Sequence, residues 1–308
     1  MRHAVRHPAD PAGAHLARAA FEWACVLDVQ ARKPGNVSIH SAGHGMQAAL
    51  FVGSARAAAA PLCLAGSPVG ERIEAAVRVS LAAAGCNTNL GIVLLCAPLA
   101  AACERWRPAH GAAGLRVAVG EVLQALGLDD ARAAFRAIAL ANPGGLGAAA
   151  QQDVARPPTV TLGQAMALAA DRDRIARQYA NGYPDLFELG LPAFQAGLGA
   201  ARSARCPPEA AARRAMQHVY LECLAAWPDS HIVRKHGLQV AHSVMHEAEA
   251  WRSRARSGQP LEADAAFAHW DDSLKARGLN PGTTADLSVA AAMVGALCDP
   301  SATTGVVA

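Results

Sequence analysis

Apolar residues recur with the spacing of an α-helix along almost the whole chain, and this pattern restricts the fold more than any other feature. Strand-like alternation is almost absent. Hydrophobic residues make up 52% of the sequence, alanine dominates them, and alanine loses least on entering a helix. The sequence therefore predicts an all-α fold. We expect a single compact multi-helix domain over residues 1–308, with a central polar pocket and flexible ends at about 1–13 and 300–308.

Glycine and proline clusters divide the periodic pattern into separate predicted helices. These cover 14–31, 45–60, 70–84, 90–105, 115–126, 129–140, 161–180, 185–205, 208–226, 238–256, 261–277 and 284–297. The segment 142–158 has the weakest pattern and is predicted to be a mobile loop.

Charge and cysteine usage restrict the class of protein. The formal net charge is only +3, and the basic residues form no stripe of the kind that binds along nucleic acid. No nucleic-acid partner is therefore expected. The start of the chain is polar, and the apolar part of the longest uncharged run, 85–103, is too short to span a bilayer. No membrane partner is therefore expected. The eight cysteines form no CxxC pair, which favours a reducing, cytoplasmic location without structural zinc.

Polar residues gather at four places in the otherwise alanine-rich sequence. These four polar islands are ARKPGNVSIHSAGH at 31–44, CNTNLG at 86–91, PDSHIVRKHG at 228–237 and LNPGTTAD at 279–286. Each could do no more than cap the helix that follows it. Asn87 or Thr88 could cap one helix, Asp229 could cap another, and Thr283 with Asp286 has the spacing of a capping box.

Two features of the islands point beyond capping to a phosphate-binding site. CNTNLG supplies three adjacent amide or hydroxyl side chains, whereas a cap needs one. Only three lysines occur in the sequence, and Lys33 and Lys235 both lie within islands. Ammonium groups at helix entrances are natural partners of phosphate, and Asp229 or Asp286 could hold Mg²⁺ beside it.

The four islands also carry a family resemblance. KPGNV, NTNLG, DSHIVRKHG and LNPGTTADL, in this order over about residues 33–294, resemble the triphosphoribosyl-dephospho-coenzyme A synthase family. The resemblance implies an all-helical transferase of coenzyme biosynthesis that joins ATP, with Mg²⁺, to a dephospho-coenzyme A-like acceptor and releases adenine. Leu90 stands where the type enzymes carry a lysine, and Ser38 where they tend to carry an acidic residue. With these departures, the chain resembles a divergent branch of the family found in archaea and one-carbon-using bacteria. An enzyme of tetrahydromethanopterin-linked metabolism therefore remains an alternative function.

The resemblance further implies roles for the island residues. Displacement of adenine from ATP has an oxocarbenium-like transition state that a carboxylate stabilises. The predicted catalytic residues are Asp229, Asp286, His40 and His231, and the predicted Mg²⁺ ligands are Asp229 and Asp286. The predicted nucleotide-binding residues are Lys33, Gly35, Asn36, Asn87, Thr88, Asn89, Gly91, Arg234, Lys235, Asn280, Gly282 and Thr283. We expect Lys33, Asn87, Asp229 and Asp286 to line one pocket.

Two other classes of function remain open at this stage. His242 and His246 share a helix face and could bind zinc, although Glu247 is misplaced for the HExxH arrangement of metalloproteases. A non-catalytic helical protein that only binds a nucleotide is the second. The expected partner is a small-molecule nucleotide substrate, and a homodimer is left open.

Overall fold

The computed structural model describes residues 10–144, 147, 149 and 151–303, and these form fourteen α-helices with three short helical turns. Within these ranges there is no β-strand, only two isolated bridges in the segment 38–46. The predicted all-α fold is confirmed. Most of the predicted flexible ends and part of the predicted mobile segment 142–158 lie outside the described residues. Residues 11–13 instead form the first turn of a helix that Asp10 caps, its Oδ1 accepting from Ala12 N at 3.1 Å.

The helix bounds follow the glycine and proline clusters closely. The helices are α1 Pro11–Gln30, α2 Ala48–Leu62, α3 Val69–Ala84, α4 Leu90–Cys103, α5 Gly111–Gln124, α6 Leu128–Ala141, α7 Leu162–Ala167, α8 Arg174–Asn181, α9 Leu191–Ser203, α10 Pro208–Leu224, α11 Ser230–His236, α12 Leu238–Arg256, α13 Ala265–Ala276 and α14 Gly282–Cys298.

Three differences from the predicted helices have local causes. The predicted helix 161–180 is two helices, because Asp173 Oδ1 accepts from Ile175 N and Ala176 N and starts α8 anew. The predicted helix 185–205 begins as a π-helical turn, Asp185–Gly190, before α9. The short helix α11 lies inside an island and was not among the predicted helices, although its cap, Asp229, was recognised.

Two helices without a polar face form the centre of the molecule. Nearly every residue of α4 and α14 is buried, as expected of helices that are hydrophobic all round. α14 packs against α1, α4, α9 and α10. The polar residues that precede or begin these two helices are therefore carried into the interior.

A second, smaller hydrophobic cluster lies between α10, α12 and α13. Tyr220 and Phe267 are fully buried within it, and Trp251 stacks on Trp270 with the ring centroids 5.9 Å apart. This cluster supports the loop after α1, because the Tyr220 hydroxyl donates to the Pro34 carbonyl at 2.6 Å.

No single helix among the described residues is long and apolar enough to cross a bilayer. By length and composition, one bent pair could do so together, Pro108–Gln124 with Leu128–Ala141, which meet at 94°.

Candidate active site

One cavity of about 630 Å³ lies where α4, α11 and α14 begin, and each of the four polar islands contributes residues to it. The predicted site residues that line the cavity are Asn36, Asn87, Thr88, Asn89, Gly91, His231, Arg234, Lys235, Asn280, Gly282, Thr283 and Asp286. Lys33, Gly35, Asp229 and His40 are not among the lining residues. The islands converge although Asn36 and Asp286 lie 250 positions apart in the sequence, because α4 and α14 pack against each other in the core.

Asp286 is the carboxylate with the clearest access to the cavity. It lies in the first turns of α14, and among the described residues no group pairs or hydrogen-bonds with it. Burial raises the pKa of Asp286 well above its ordinary value, and the charges of Asp28 and Asp229 raise it further. Gly91 permits this arrangement, because a Cβ at residue 91 would overlap Asp286 Oδ2. An unpaired carboxylate facing a cavity is expensive for folding alone, so its position indicates a function.

A second carboxylate, Asp28 of α1, lines the cavity close to Asp286. Lys33 Nζ lies 3.0 Å from Asp28 Oδ1 and donates to Asn36 Oδ1 at 2.5 Å. Asn36 in turn donates to Asn280 Oδ1 at 2.9 Å. Lys33 is completely buried behind these residues, so it balances the charge of Asp28 and does not itself face the cavity. Burial nevertheless raises the pKa of Asp28, against the lowering effect of Lys33.

Asp229 is a structural residue by its contacts. Its Oδ1 accepts from His231 N and Ile232 N and so caps α11. Its Oδ2 accepts from Thr284 N at 2.7 Å and Thr284 Oγ1 at 2.8 Å, which ties α11 to the start of α14. The side chain is 1% exposed and does not line the cavity. These four hydrogen bonds favour the capping alternative over the predicted metal-ligand and catalytic roles.

The Asn87-Thr88-Asn89 cluster divides its side chains between structure and cavity. Asn87 Oδ1 accepts from Leu90 N at 3.1 Å at the entrance to α4, as a cap would. Thr88 Oγ1 donates to Ser54 Oγ at 2.7 Å and fixes the loop to α2. Asn89 is 5% exposed, and its Nδ2 has no hydrogen-bond partner within the described structure. Asn89 thus presents a free buried donor in the wall of the cavity.

His231 lines the cavity, whereas the other predicted proton-transfer residue does not. The Nε2 of His231 is buried with no partner among the described residues. Burial, followed by the charges of Arg234 and Lys235, lowers the pKa of His231 to about 3. His40 lies at the surface, with Nε2 2.9 Å from Glu262 Oε1. Its location therefore does not support a catalytic role in this cavity.

Cationic side chains surround one side of the cavity. Arg234 donates to the Gly144 carbonyl at 3.2 Å and lies 3.5 Å from Asp173 Oδ2. Lys235 and Arg172 are exposed lining residues for which no partner exists in the described part of the chain. These cations have hydrogen-bonding capacity to spare for an anionic ligand.

The KPGN loop is held from behind by residues outside the islands. Gly35 has a φ of 83°, and its N–H donates to Asp271 Oδ1 at 2.9 Å. Asp271 is fully buried and also accepts from Ser41 Oγ at 2.8 Å and from Lys275 Nζ. Gly35 therefore shapes the loop and does not contact the cavity.

The cavity residues that sequence reasoning missed include three charged ones, Asp28, Asp173 and Arg172. Asp28 had a recognisable signal, since it is the one charged residue within the apolar stretch WACVLDV. Asp173 and Arg172 had none, because DRDR reads as an ordinary exposed segment until α8 is seen to start there.

The alternative zinc site is not formed. In the described residues, no three His, Cys, Asp or Glu side chains are grouped to hold a metal ion. Glu247 accepts from Trp270 Nε1 at 2.7 Å and pairs with Arg277 at 3.2 Å, so it does not join His242 and His246.

Comparison with known proteins identifies the family. A crystal structure from Archaeoglobus fulgidus, of a candidate triphosphoribosyl-dephospho-CoA synthase, matches with a TM-score of 0.58 and 20% identity, over 82% of this chain and 98% of that one. This match shows a shared fold. No curated protein sequence is significantly similar. The family model for ATP:dephospho-CoA triphosphoribosyl transferase, CitG, matches residues 14–304. The predicted family and transferase class are confirmed: the chain belongs to the CitG family of ATP:dephospho-CoA triphosphoribosyl transferases.

Proposed function

We propose that the cavity binds ATP and a dephospho-CoA-like acceptor, and that it transfers the triphosphoribosyl group of ATP to a ribose hydroxyl of the acceptor. The observation that carries this proposal is Asp286, an unpaired carboxylate facing a cavity beside unpaired cations. Family membership supplies the reaction class. The alternatives of tetrahydromethanopterin-linked metabolism and of binding without catalysis have no comparable support.

The triphosphate is expected on the side of the cavity that α11 and Arg172 form. Lys235 and Arg172 have no partner in the described part of the chain, and Arg234 has donors beyond its contact with Gly144. Asn89 Nδ2 is a further donor that lacks a partner. Charge-assisted hydrogen bonds from such groups are about twice as strong as neutral ones, which suits an anionic ligand.

Asp28 and Asp286 fit the requirements of a Mg²⁺ ion that accompanies ATP. Mg²⁺ commonly takes one or two carboxylates and completes its coordination with phosphate oxygens and water. Burial, and after it the charge of Asp28, raises the pKa of Asp286, and a bound cation would relieve the repulsion between the two carboxylates. When bound, the ion would offset negative charge on the triphosphate and orient it.

The proposed proton-transfer residue is His231, which lines the cavity and whose Nε2 has no partner among the described residues. The hydroxyl oxygen of the acceptor forms a bond to C1′ of ATP while the C1′–N9 bond to adenine breaks. The hydroxyl proton passes to the neutral imidazole and then leaves with adenine. Arg234 and Lys235 help to hold the His231 pKa at about 3 in the free protein. Since a bound triphosphate would offset those charges, binding raises the basicity of His231 when it is needed.

Adenine release from ATP in the presence of dephospho-CoA tests the proposal. Asp286→Asn keeps the shape of the side chain and removes its charge, and we expect kcat to fall by about 10²–10⁴-fold. Asp129→Asn is the control, because Asp129 is an exposed carboxylate paired with Arg132 on α6, away from the cavity. The proposal is refuted if Asp286→Asn releases adenine at the wild-type rate. It is also refuted if the wild-type protein releases no adenine with any dephospho-CoA-like acceptor.

A further inference from the structure

We propose that the apolar wall of the cavity is a subsite for the aliphatic, amide-containing pantetheine arm of the acceptor. This inference rests on the proposed function, because the family supplies an acceptor that carries such an arm. The new part is the set of residues that would bind the arm, which is the part of the acceptor that ATP lacks.

The apolar wall is built from α6, α7 and the turn that follows α7. Phe135 and Ile138 lie one turn apart on α6. Met166 and Leu168 face the same cavity from the end of α7. The two helices are joined at their starts, where Leu162 N donates to the Gly127 carbonyl at 3.2 Å. The wall is therefore built mainly on two helices that are hydrogen-bonded to each other.

Leu168 is the strongest indication that this wall binds something. It is 48% exposed although it is a large apolar residue in a concave surface. Partly exposed leucines are common on convex surfaces and need no explanation there. Within a cavity, exposed apolar surface marks a place where a ligand removes water.

The polar groups beside this wall suit a chain that carries amides. Asn142 and Gln151 line the cavity, and their side chains make no hydrogen bond to the described residues. Carboxamides both donate and accept, so they can pair with the amide groups of a pantetheine arm without adding charge. A purine ring could also lie on an apolar wall. The extended arrangement along two helices, with uncharged amides nearby, favours the arm.

The reacting group would lie at the boundary between the two parts of the cavity. A Cβ at residue 91 would overlap Asp286 Oδ2 and would lie 2.8 Å from Ile175 Cδ1, so the carboxylate and the apolar side chain are neighbours. An acceptor whose arm lies on the apolar wall would therefore present its nucleotide portion, with the ribose hydroxyls, towards Asp286. ATP would occupy the cationic side.

A matched pair of leucines allows a direct test. Leu140 lies on α6, is also 48% exposed and does not line the cavity. We expect Leu168→Ser to raise the KM for dephospho-CoA roughly tenfold and to leave the KM for ATP unchanged, because only the arm loses apolar contact. Leu140→Ser should change neither. Pantetheine alone should inhibit the wild-type enzyme competitively with dephospho-CoA, and Leu168→Ser should weaken that inhibition.

Calorimetric binding of pantetheine separates failure of this inference from failure of the proposed function. If adenine is never released, the proposed function fails, yet binding of pantetheine that Leu168→Ser weakens would still support the subsite. If adenine is released but Leu168→Ser leaves the KM for dephospho-CoA unchanged, the subsite is refuted while the proposed function stands. A rise in the KM for ATP instead would place adenine on the apolar wall and would also refute it.

Discussion

Asp229→Asn separates the structural role of this residue from a catalytic one. On α11 alone, asparagine would cap as well as aspartate, since one oxygen suffices for the two N–H groups of His231 and Ile232. The contact with Thr284 of α14, in contrast, does not tolerate asparagine. The second oxygen accepts from Thr284 N at 2.7 Å, and an NH₂ group in that place would set one donor against another. Rotating the amide only moves the conflict to the α11 cap.

The magnitude follows from these contacts. The hydrogen bond from Thr284 N to a charged acceptor is worth about 1.5–3 kcal/mol, and its loss leaves a buried N–H unpaired. The Thr284 hydroxyl can reverse and accept from the new amide, so it adds little. Burial raises the pKa of Asp229, which means that the carboxylate is costly to keep charged, and removing that charge offsets part of the loss. We expect the free energy of unfolding to fall by about 1–3 kcal/mol.

Urea denaturation followed by far-UV circular dichroism measures this loss. Asp264→Asn is the matched control. Asp264 Oδ1 caps α13 in the same way, through Ala266 N and Phe267 N, while its Oδ2 meets only the flexible side chain of Arg254. A far smaller loss is expected there. Equal stability losses in the two variants, or none in either, would refute the argument from Thr284.

The same variant tests the metal role of Asp229. Because its side chain does not line the cavity, Mg²⁺-dependent ATP binding by folded Asp229→Asn should remain within a few-fold of wild type. If stability holds while Mg²⁺-dependent binding collapses, Asp229 is a metal ligand after all.

Three further predictions concern the cavity. Gly91→Ala should reduce adenine release at least about tenfold because its Cβ displaces the Asp286 carboxylate, whereas Gly120→Ala on α5, which has open space around it, should have wild-type activity. Lys235→Ala should raise the KM for ATP about tenfold and weaken its salt dependence, as seen in initial rates at two ionic strengths. Between pH 6.5 and about 3, His231 is protonated in the unfolded chain but neutral in the folded protein, so the free energy of unfolding falls as the pH falls. In urea denaturation at a series of pH values, His231→Gln should reduce the slope of the free energy of unfolding against pH by roughly 1 kcal/mol per pH unit.

The sequence alone determined the helical architecture, because helix periodicity and alanine propensity are local properties. Bounds such as those of α4 and α12 were predicted within two residues at each end. Composition also showed where to look for the site, since polar clusters are conspicuous against an apolar background. Errors arose where one side chain changed the local backbone, as Asp173 does between α7 and α8.

Only the tertiary structure decided which island residues face the cavity. Asp229 caps α11 and Asp286 lies near the start of α14, and the sequence predicted a catalytic and a Mg²⁺-binding role for both. Asp229 meets Thr284, which lies 55 residues away, and is fully paired by it, whereas Asp286 meets Gly91, which has no side chain to pair with it. Lys33 is likewise turned away from the cavity by Asp28 and Asn36. A side chain's role depends on the partners that packing brings to it, and those partners come from distant parts of the chain.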